Sequence, residues 1–281
     1  MAIRIFTDST SEISQKQAKE LHIDVIPMVV NFNQEVFIDG VDLFAEDFYK
    51  RMRESDILPK TSLINSDTFY KRFDEVSDDD EIIGIFISSE LSGSLQSAHA
   101  AKELLPHKKI HLIDSRQVTF GLTALVLYAI RLRDEGKSAS EIVKAVEDAK
   151  KRLVLIAVID TLKYLKLGGR LSSASAVLGT IMGVKPLLKI EDGKVLAVHK
   201  VFGLTRAFAW LVKQYQSSDV DKTMPRLFGH SDAKETLKEF QTFVSKHTDF
   251  PLDSVYPIGV TVGVHTGPGA VGFCFFTKAR K

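Results

Sequence analysis

Apolar and polar positions follow two different rhythms along this chain. In the first half, short runs rich in β-branched residues (Ile3–Phe6, Val25–Phe32, Ile82–Ile87 and Ile110–Ile113) alternate with segments of helical spacing. Those segments are Glu12–Leu21, Ala45–Glu54, Asp67–Val76, Leu95–Leu105, Phe120–Glu135 and Ser140–Arg152. A short unbroken apolar strand has both faces buried, and strands alternating with helices call for a parallel sheet covered on each side. The first half therefore predicts a three-layer, parallel-sheet α/β domain.

The second half reads differently. Leu153–Ile159 is an apolar strand, followed by a short helix over Asp160–Leu167 that stops at Gly168-Gly169. Arg170 comes next, and an Ala/Ser/Gly-rich helix is expected to about Met182. Pro186–Ile190 and Lys194–Val201 flank Asp192-Gly193, a dipeptide that favours a tight hairpin. Helices are predicted at Leu204–Ser217 and Asp232–His247, and strands at Pro225–His230, Val255–Val264 and Val271–Thr277. A hairpin and strands in pairs predict a second α/β domain with a mixed sheet. The boundary is placed near residue 158, giving domains 1–158 and 159–281. No linker composition marks it, so the two halves are expected to pack tightly, with any ligand site between them.

Composition narrows the function. The 281 residues carry 37 basic and 36 acidic side chains, a net charge of +1, so neither a nucleic-acid nor a membrane surface is indicated. Ala124–Ile130 and Leu153–Ile159 are the longest uninterrupted apolar runs and are too short to span a bilayer. The single cysteine, Cys274, sits in an apolar run and reads as a small buried hydrophobe in a reducing, cytoplasmic setting. The N-terminal residues lack a basic-then-apolar signal pattern. The 18 phenylalanines suit a core or an apolar cavity.

Polar chemistry is concentrated in small loops. After the strand Ile82–Ile87, the turn Ser88–Ser94 leads into a helix, with Gly93 allowing close backbone approach. The first N–H groups of a helix lack internal partners and carry partial positive charge, so this junction suits an anion. A serine there also serves simply as a helix cap. Thr61-Ser62, Gly168-Gly169-Arg170 and His265–Gly269 lie in comparable loops, so each half contributes two. Together they offer hydroxyls, an arginine and a histidine, a set suited to one anionic head group at a domain cleft.

Other motif matches fail in context. Gly267–Gly272 spells a dinucleotide fingerprint, but only nine residues follow it, too few for the helix, strand and acid such a site needs. Gly136-Lys137-Ser138 lacks the upstream glycine of a phosphate loop. Eight histidines occur without a metal-binding spacing, and no metal or other cofactor is expected.

Seven segments in order resemble the DegV family of bacterial fatty-acid-binding proteins, which includes the carrier subunits of fatty acid kinase. They are Thr7–Thr10, Pro59–Ser62, Ser88–Ala98, Leu167–Leu171, Lys185-Pro186, Asp192–Lys194 and Gly263–Gly269. Leu95 departs from a frequent aromatic residue and Val260 from a common proline. The resemblance implies a two-domain α/β protein holding one long-chain fatty acid, such as palmitate, in a buried tunnel. It implies that Thr61 and Ser94 hydrogen-bond the carboxylate. Ser62, His265 and Arg170 would complete the head-group network or present the head group to a separate kinase subunit. The protein itself would then be a carrier without catalytic residues.

The energetics suit such a ligand. Each buried methylene contributes about 0.8 kcal/mol, so a sixteen-carbon chain gains roughly 10 kcal/mol before ordering costs. Two other readings of the same loops stand beside it. One is a serine hydrolase with Ser94 as nucleophile, His265 as base and Asp8 or Asp114 as orienter, although Ser94 lacks the flanking glycines of a nucleophile elbow. The other is a phosphate- or nucleotide-binding module.

Overall fold

Among the described residues thirteen strands run along the chain: β1 (Ile3–Asp8), β2 (Ile23–Ile26), β3 (Val29–Phe32), β4 (Glu35–Ile38), β5 (Lys60–Ser62), β6 (Glu81–Phe86), β7 (Lys109–Asp114), β8 (Leu153–Val158), β9 (Val184–Glu191), β10 (Lys194–Phe202), β11 (Leu227–His230), β12 (Val255–Pro257) and β13 (Val271–Phe276). The structure is a computed structural model and describes residues 2–55, 57–173 and 183–279. The Ala/Ser/Gly-rich helix expected to reach about Met182 falls outside the described residues from 174 onward.

The strands form three sheets. The first is parallel throughout, in the order β2-β1-β6-β7. The second has six strands in the order β10-β9-β8-β13-β11-β12 and is antiparallel except for β11 and β12. The third is a small antiparallel sheet, β4-β3-β5. The predicted parallel domain and mixed-sheet domain are thus both present. β8 is hydrogen-bonded to β13 and β9, so it belongs to the six-stranded sheet and not with the residues before it.

Burial explains the arrangement. The helix Thr119–Asp134 is buried continuously from Thr119 to Val126 and again at Ala129 and Ile130. A helix that is apolar all round needs neighbours on every side. This one touches β1 and β6 of the first sheet and β8, β11 and β13 of the second, joining the two. The other face of the first sheet packs on the helix Ser66–Asp74, where Phe6 meets Phe73 at 5.4 Å and Phe69 meets Phe86 at 5.0 Å between ring centroids. Beyond the second sheet, Phe208, Phe228, Phe240, Phe250, Phe273 and Phe275 fill a separate core. Cys274 is fully buried, and desolvation pushes its thiol pKa far up, which leaves it an inert core residue. Among the described residues no helix is long and apolar enough to cross a membrane.

Three expectations need correction. Val25–Phe32 is not one strand: Pro27 and Met28 separate β2 from β3, and the two lie in different sheets. Proline donates no ladder hydrogen bond, so the chain changes sheet there. The helix expected from Glu12 begins only at Gln15, capped by Ser14 with Gln17 in reciprocal contact. Glu12 itself is left-handed at φ 58°, and its carboxylate accepts the Gly259 N–H at 2.7 Å. Finally, Val255–Val264 is strand only to Pro257; Val260–Thr266 is helical. Its β-branched residues favour a strand, but Gly263 lets this segment pack closely on Phe48 and Tyr49, and tertiary packing overrides propensity.

The hairpin between β9 and β10 turns at Asp192 (φ 49°) and Gly193 (φ 80°), as the dipeptide predicts. Its tip docks on the first domain: Ser88 Oγ donates to the Gly193 carbonyl at 2.8 Å and Arg116 to the Asp192 carbonyl at 3.3 Å. The two halves are tied together beside the Ser88–Ser94 turn.

Candidate functional site

A cavity of about 240 Å³ lies where the helix Thr119–Asp134, the inner face of the six-stranded sheet and the Ser88–Ser94 turn meet. Alternation along β8 sends Leu155 and Ala157 towards it, while Ile156 and Val158 point into the phenylalanine-rich core. Leu188 and Ile190 of β9 and Val195 of β10 extend the same apolar wall. Most of the phenylalanines are core; Phe120 is one that lines the cavity.

At one end the polar loops converge. Thr61 is carried by β5, paired with Val30 of β3, and its Oγ1 lies 3.0 Å from His265 Nε2. His265 sits in the last turn of the helix Val260–Thr266. Burial, reinforced by the Arg170 charge, pushes its pKa down to about 4, so the ring is neutral at pH 7. A neutral imidazole has one N–H. With that hydrogen on Nε2 donating to Thr61, the threonine hydroxyl is free to donate into the cavity. His265 Nδ1 is buried without a hydrogen-bond partner.

Ser94 opens the helix Ser94–Glu103 and is fully buried. Its Oγ accepts the Ile64 N–H at 3.1 Å and lies 3.0 Å from Ser92 Oγ. Either serine of that pair can be the donor, and the pair lies beside a helix N-terminus that favours negative charge. Arg170 bridges the two halves at this rim. It donates from Nη1 to the Gly168 carbonyl at 2.6 Å and from Nε to the Leu91 carbonyl at 3.3 Å. Leu171 then pairs with Val195 instead of starting a helix.

The expected residues do not all join this cluster. Ser62, next to Thr61 in the strand, also borders the cavity, but its hydroxyl accepts from Asn31 Nδ2 at 3.1 Å and makes no contact with His265. Ser94 and His265 share no hydrogen bond. Asp8 is held by Thr10 and the Ile87 N–H, and Asp114 by Ser89 and the Arg116 N–H. Neither aspartate reaches His265, so the geometry of a serine-hydrolase triad is not assembled.

Sequence reasoning missed a second polar group. Thr119 and Thr261 line the cavity, each 4% exposed, and neither hydroxyl makes a hydrogen bond of good geometry. Behind them are the buried carboxyls of Glu12 and Asp39. Desolvation raises the pKa of both, well above the usual range for Glu12. Asp39 accepts from Ser9 Oγ at 2.9 Å and the Thr261 N–H at 3.2 Å. Thr261 precedes His265 by four residues, a helical spacing hidden by reading the segment as a strand.

Comparison with known proteins gives a consistent result. A model of the DegV family, described as an uncharacterised protein family, matches residues 2–278. A DegV domain-containing protein of Caldanaerobacter subterraneus subsp. tengcongensis is 35% identical over 279 residues, covering 98% of this chain and 99% of that one. The structure of a DegV family protein from Thermus thermophilus, described for its fatty acid binding, superposes with a TM-score of 0.88 at 26% identity, covering 99% of this chain and 100% of that one. DegV of Bacillus subtilis, described as a fatty acid binding protein, superposes with a TM-score of 0.85 at 28% identity over the same shares.

Proposed function

The chain belongs to the DegV family, and on that footing we propose that it holds one long-chain fatty acid, such as palmitate, in the cavity and presents its carboxylate at the Thr61–Ser94 end. One observation carries the reading: an apolar cavity ends at the Thr61 hydroxyl beside a neutral histidine, with Ser92 and the start of the Ser94 helix next to it. A buried carboxylate needs donors or it takes up a proton. Thr61, Ser94 and the helix N-terminus provide them, His265 orients Thr61, and the apolar wall takes the tail. The fatty-acid-binding descriptions of the Thermus thermophilus and Bacillus subtilis proteins support the same ligand class. The domain boundary fits best ahead of Leu153, because β8 hydrogen-bonds within the second sheet.

Organic-solvent extraction of the purified protein, followed by mass spectrometry, tests the ligand directly. A co-purifying fatty acid is expected; a nucleotide, or an empty protein that cleaves esters, would replace this reading. Ser94→Ala and Thr61→Val are each expected to weaken fatty acid binding by roughly 1–3 kcal/mol, since each removes a hydrogen bond to a buried charge. Calorimetry on delipidated protein checks this, and unchanged affinity in both variants would refute the head-group assignment.

The protein then acts in the cytoplasm as the lipid-presenting partner of a separate fatty acid kinase subunit and carries no catalytic residue of its own. Arg170 lies at the cavity rim with its guanidinium beside His265, suited to the charge that builds when a phosphoryl group meets a carboxylate. Arg170→Ala is expected to retain bound lipid while reducing kinase-dependent acyl-phosphate formation at least about tenfold. Wild-type phosphorylation by this variant would remove the presenting role.

A further inference from the structure

Resting on the fatty acid carrier reading, we propose that the cavity contains a second polar subsite, formed by Thr119 and Thr261, for a hydroxyl group borne on the acyl chain. A cavity meant only for a saturated tail needs no hydrogen-bonding side chains in its wall, and unpartnered hydroxyls there disfavour methylenes. Yet both threonines are more than nine-tenths buried, both line the cavity and both hydroxyls lack a protein partner of good geometry.

Each threonine is also backed by a carboxyl group. Glu12 is a loose side-chain acceptor for the Thr119 hydroxyl and Asp39 for the Thr261 hydroxyl, neither contact reaching good hydrogen-bond geometry. These carboxyls are fixed from the far side: Glu12 Oε2 accepts the Gly259 N–H, and Asp39 accepts from Ser9 and the Thr261 N–H. Glu12 Oε1 is buried with no partner of its own. A guest hydroxyl can donate to one threonine oxygen and accept from the other, whereas a carbonyl oxygen can only accept. The pair therefore matches an alcohol better than a ketone.

The backbone maintains this arrangement at a cost. Thr119 is β-branched yet left-handed at φ 51°, a conformation such residues rarely adopt. Position along the ligand follows from the helix. Thr261 is one turn, about 5.4 Å, before His265 on the same helical face. The subsite therefore lies a few bonds from the carboxylate, and a hydroxyl in the carboxyl-proximal half of the chain fits it.

The test is competitive binding of palmitate against a positional series of hydroxypalmitic acids. Delipidated wild type, Thr119→Val, Thr261→Val and the double variant are compared, with thermal unfolding to establish folding. The measured quantity is the affinity ratio of each hydroxy acid to palmitate. In the wild type a carboxyl-proximal hydroxyl is expected to bind at least as well as palmitate, and an ω-hydroxyl worse. Each valine is expected to lower the favoured ratio about tenfold, because a site that hydrogen-bonds a hydroxyl discriminates far more strongly than an apolar wall. If every hydroxy acid binds more weakly than palmitate and the valines leave the ratios unchanged, the subsite holds water or nothing, and the proposal is wrong. If the wild type binds neither palmitate nor any hydroxy acid, the carrier reading falls, and this proposal falls with it. Should one threonine variant misfold, the other and the wild-type positional series still decide.

Discussion

Gly168→Ala is expected to lower fatty acid affinity by about 2 kcal/mol, some thirtyfold, and to destabilise the fold by about 1–3 kcal/mol. The backbone there is ordinary, at φ −75° and ψ −8°, so alanine meets no conformational objection. The objection is steric. A Cβ at residue 168 would overlap His265 Nδ1, lie 3.0 Å from Cε1 and 3.1 Å from the Tyr164 carbonyl oxygen. The imidazole would have to move, and among the described residues its ring is hydrogen-bonded to Thr61. Moving it releases the hydroxyl that Thr61 aims into the cavity. Gly169→Ala is the matched control. Gly169 has φ 68° with nothing near a Cβ, so alanine adds backbone strain of about 1 kcal/mol without touching His265. Calorimetry and denaturant unfolding on both variants separate the two effects. Equal affinities for the two variants would mean that His265 does not position Thr61.

That pair of glycines also marks what the sequence made legible. Gly168-Gly169 reads as a helix stop with flexible backbone, which is correct for Gly169. The role of Gly168 is to leave room, and the neighbour that needs the room is 97 residues away. Elements with strong local signals were readable: the Asp192-Gly193 hairpin, the amphipathic helix read from Ser140, which starts at Ala139 on a Ser138 cap, and the apolar helix read from Phe120. Among the site residues, Thr61, Arg170 and His265 line the cavity, and Ser94 begins a helix directly behind Ser92 and Gly93, which line it too. Ser62 borders the same cavity, with its hydroxyl turned to Asn31 instead of to His265. Thr119, Thr261, Glu12 and Asp39 were invisible for another reason. Their role arises from contacts across the two halves, and the Val260–Thr266 segment has strand-like composition in a helical position.

The same buried groups predict an unusual pH response. In the unliganded protein, raised carboxyls and a lowered histidine are expected to act in opposite directions on the unfolding free energy between pH 7 and pH 5. Desolvation raises Asp8 from an ordinary 3.8 to about 6, against hydrogen bonds from the Ile87 N–H and Thr10. The folded state then binds more protons than the unfolded chain, so this group's stabilising contribution is lost as pH rises through 6 and recovered on acidification. Glu12 and Asp39, also raised, act in the same direction. His265 acts oppositely. Its pKa falls from 6.5 to about 4 through burial and Arg170, so the unfolded chain takes the proton first and stability is lost as pH drops from 6.5 towards 4. Over this window His265 contributes roughly 2 kcal/mol and Asp8 about 1 kcal/mol, with Glu12 and Asp39 acting on the Asp8 side. Replacing His265 by glutamine removes one side while keeping a donor to Thr61. Compared with the wild type, His265→Gln is expected to gain about 2 kcal/mol of stability at pH 5 relative to pH 7, and Asp8→Asn to lose about 1 kcal/mol. Urea titrations at the two pH values measure both slopes. If His265→Gln shows the wild-type slope, the imidazole is not neutral in the folded protein. In that case Nε2 and Nδ1 both carry hydrogens, and the carboxylate is held next to a cation instead of by hydroxyls alone.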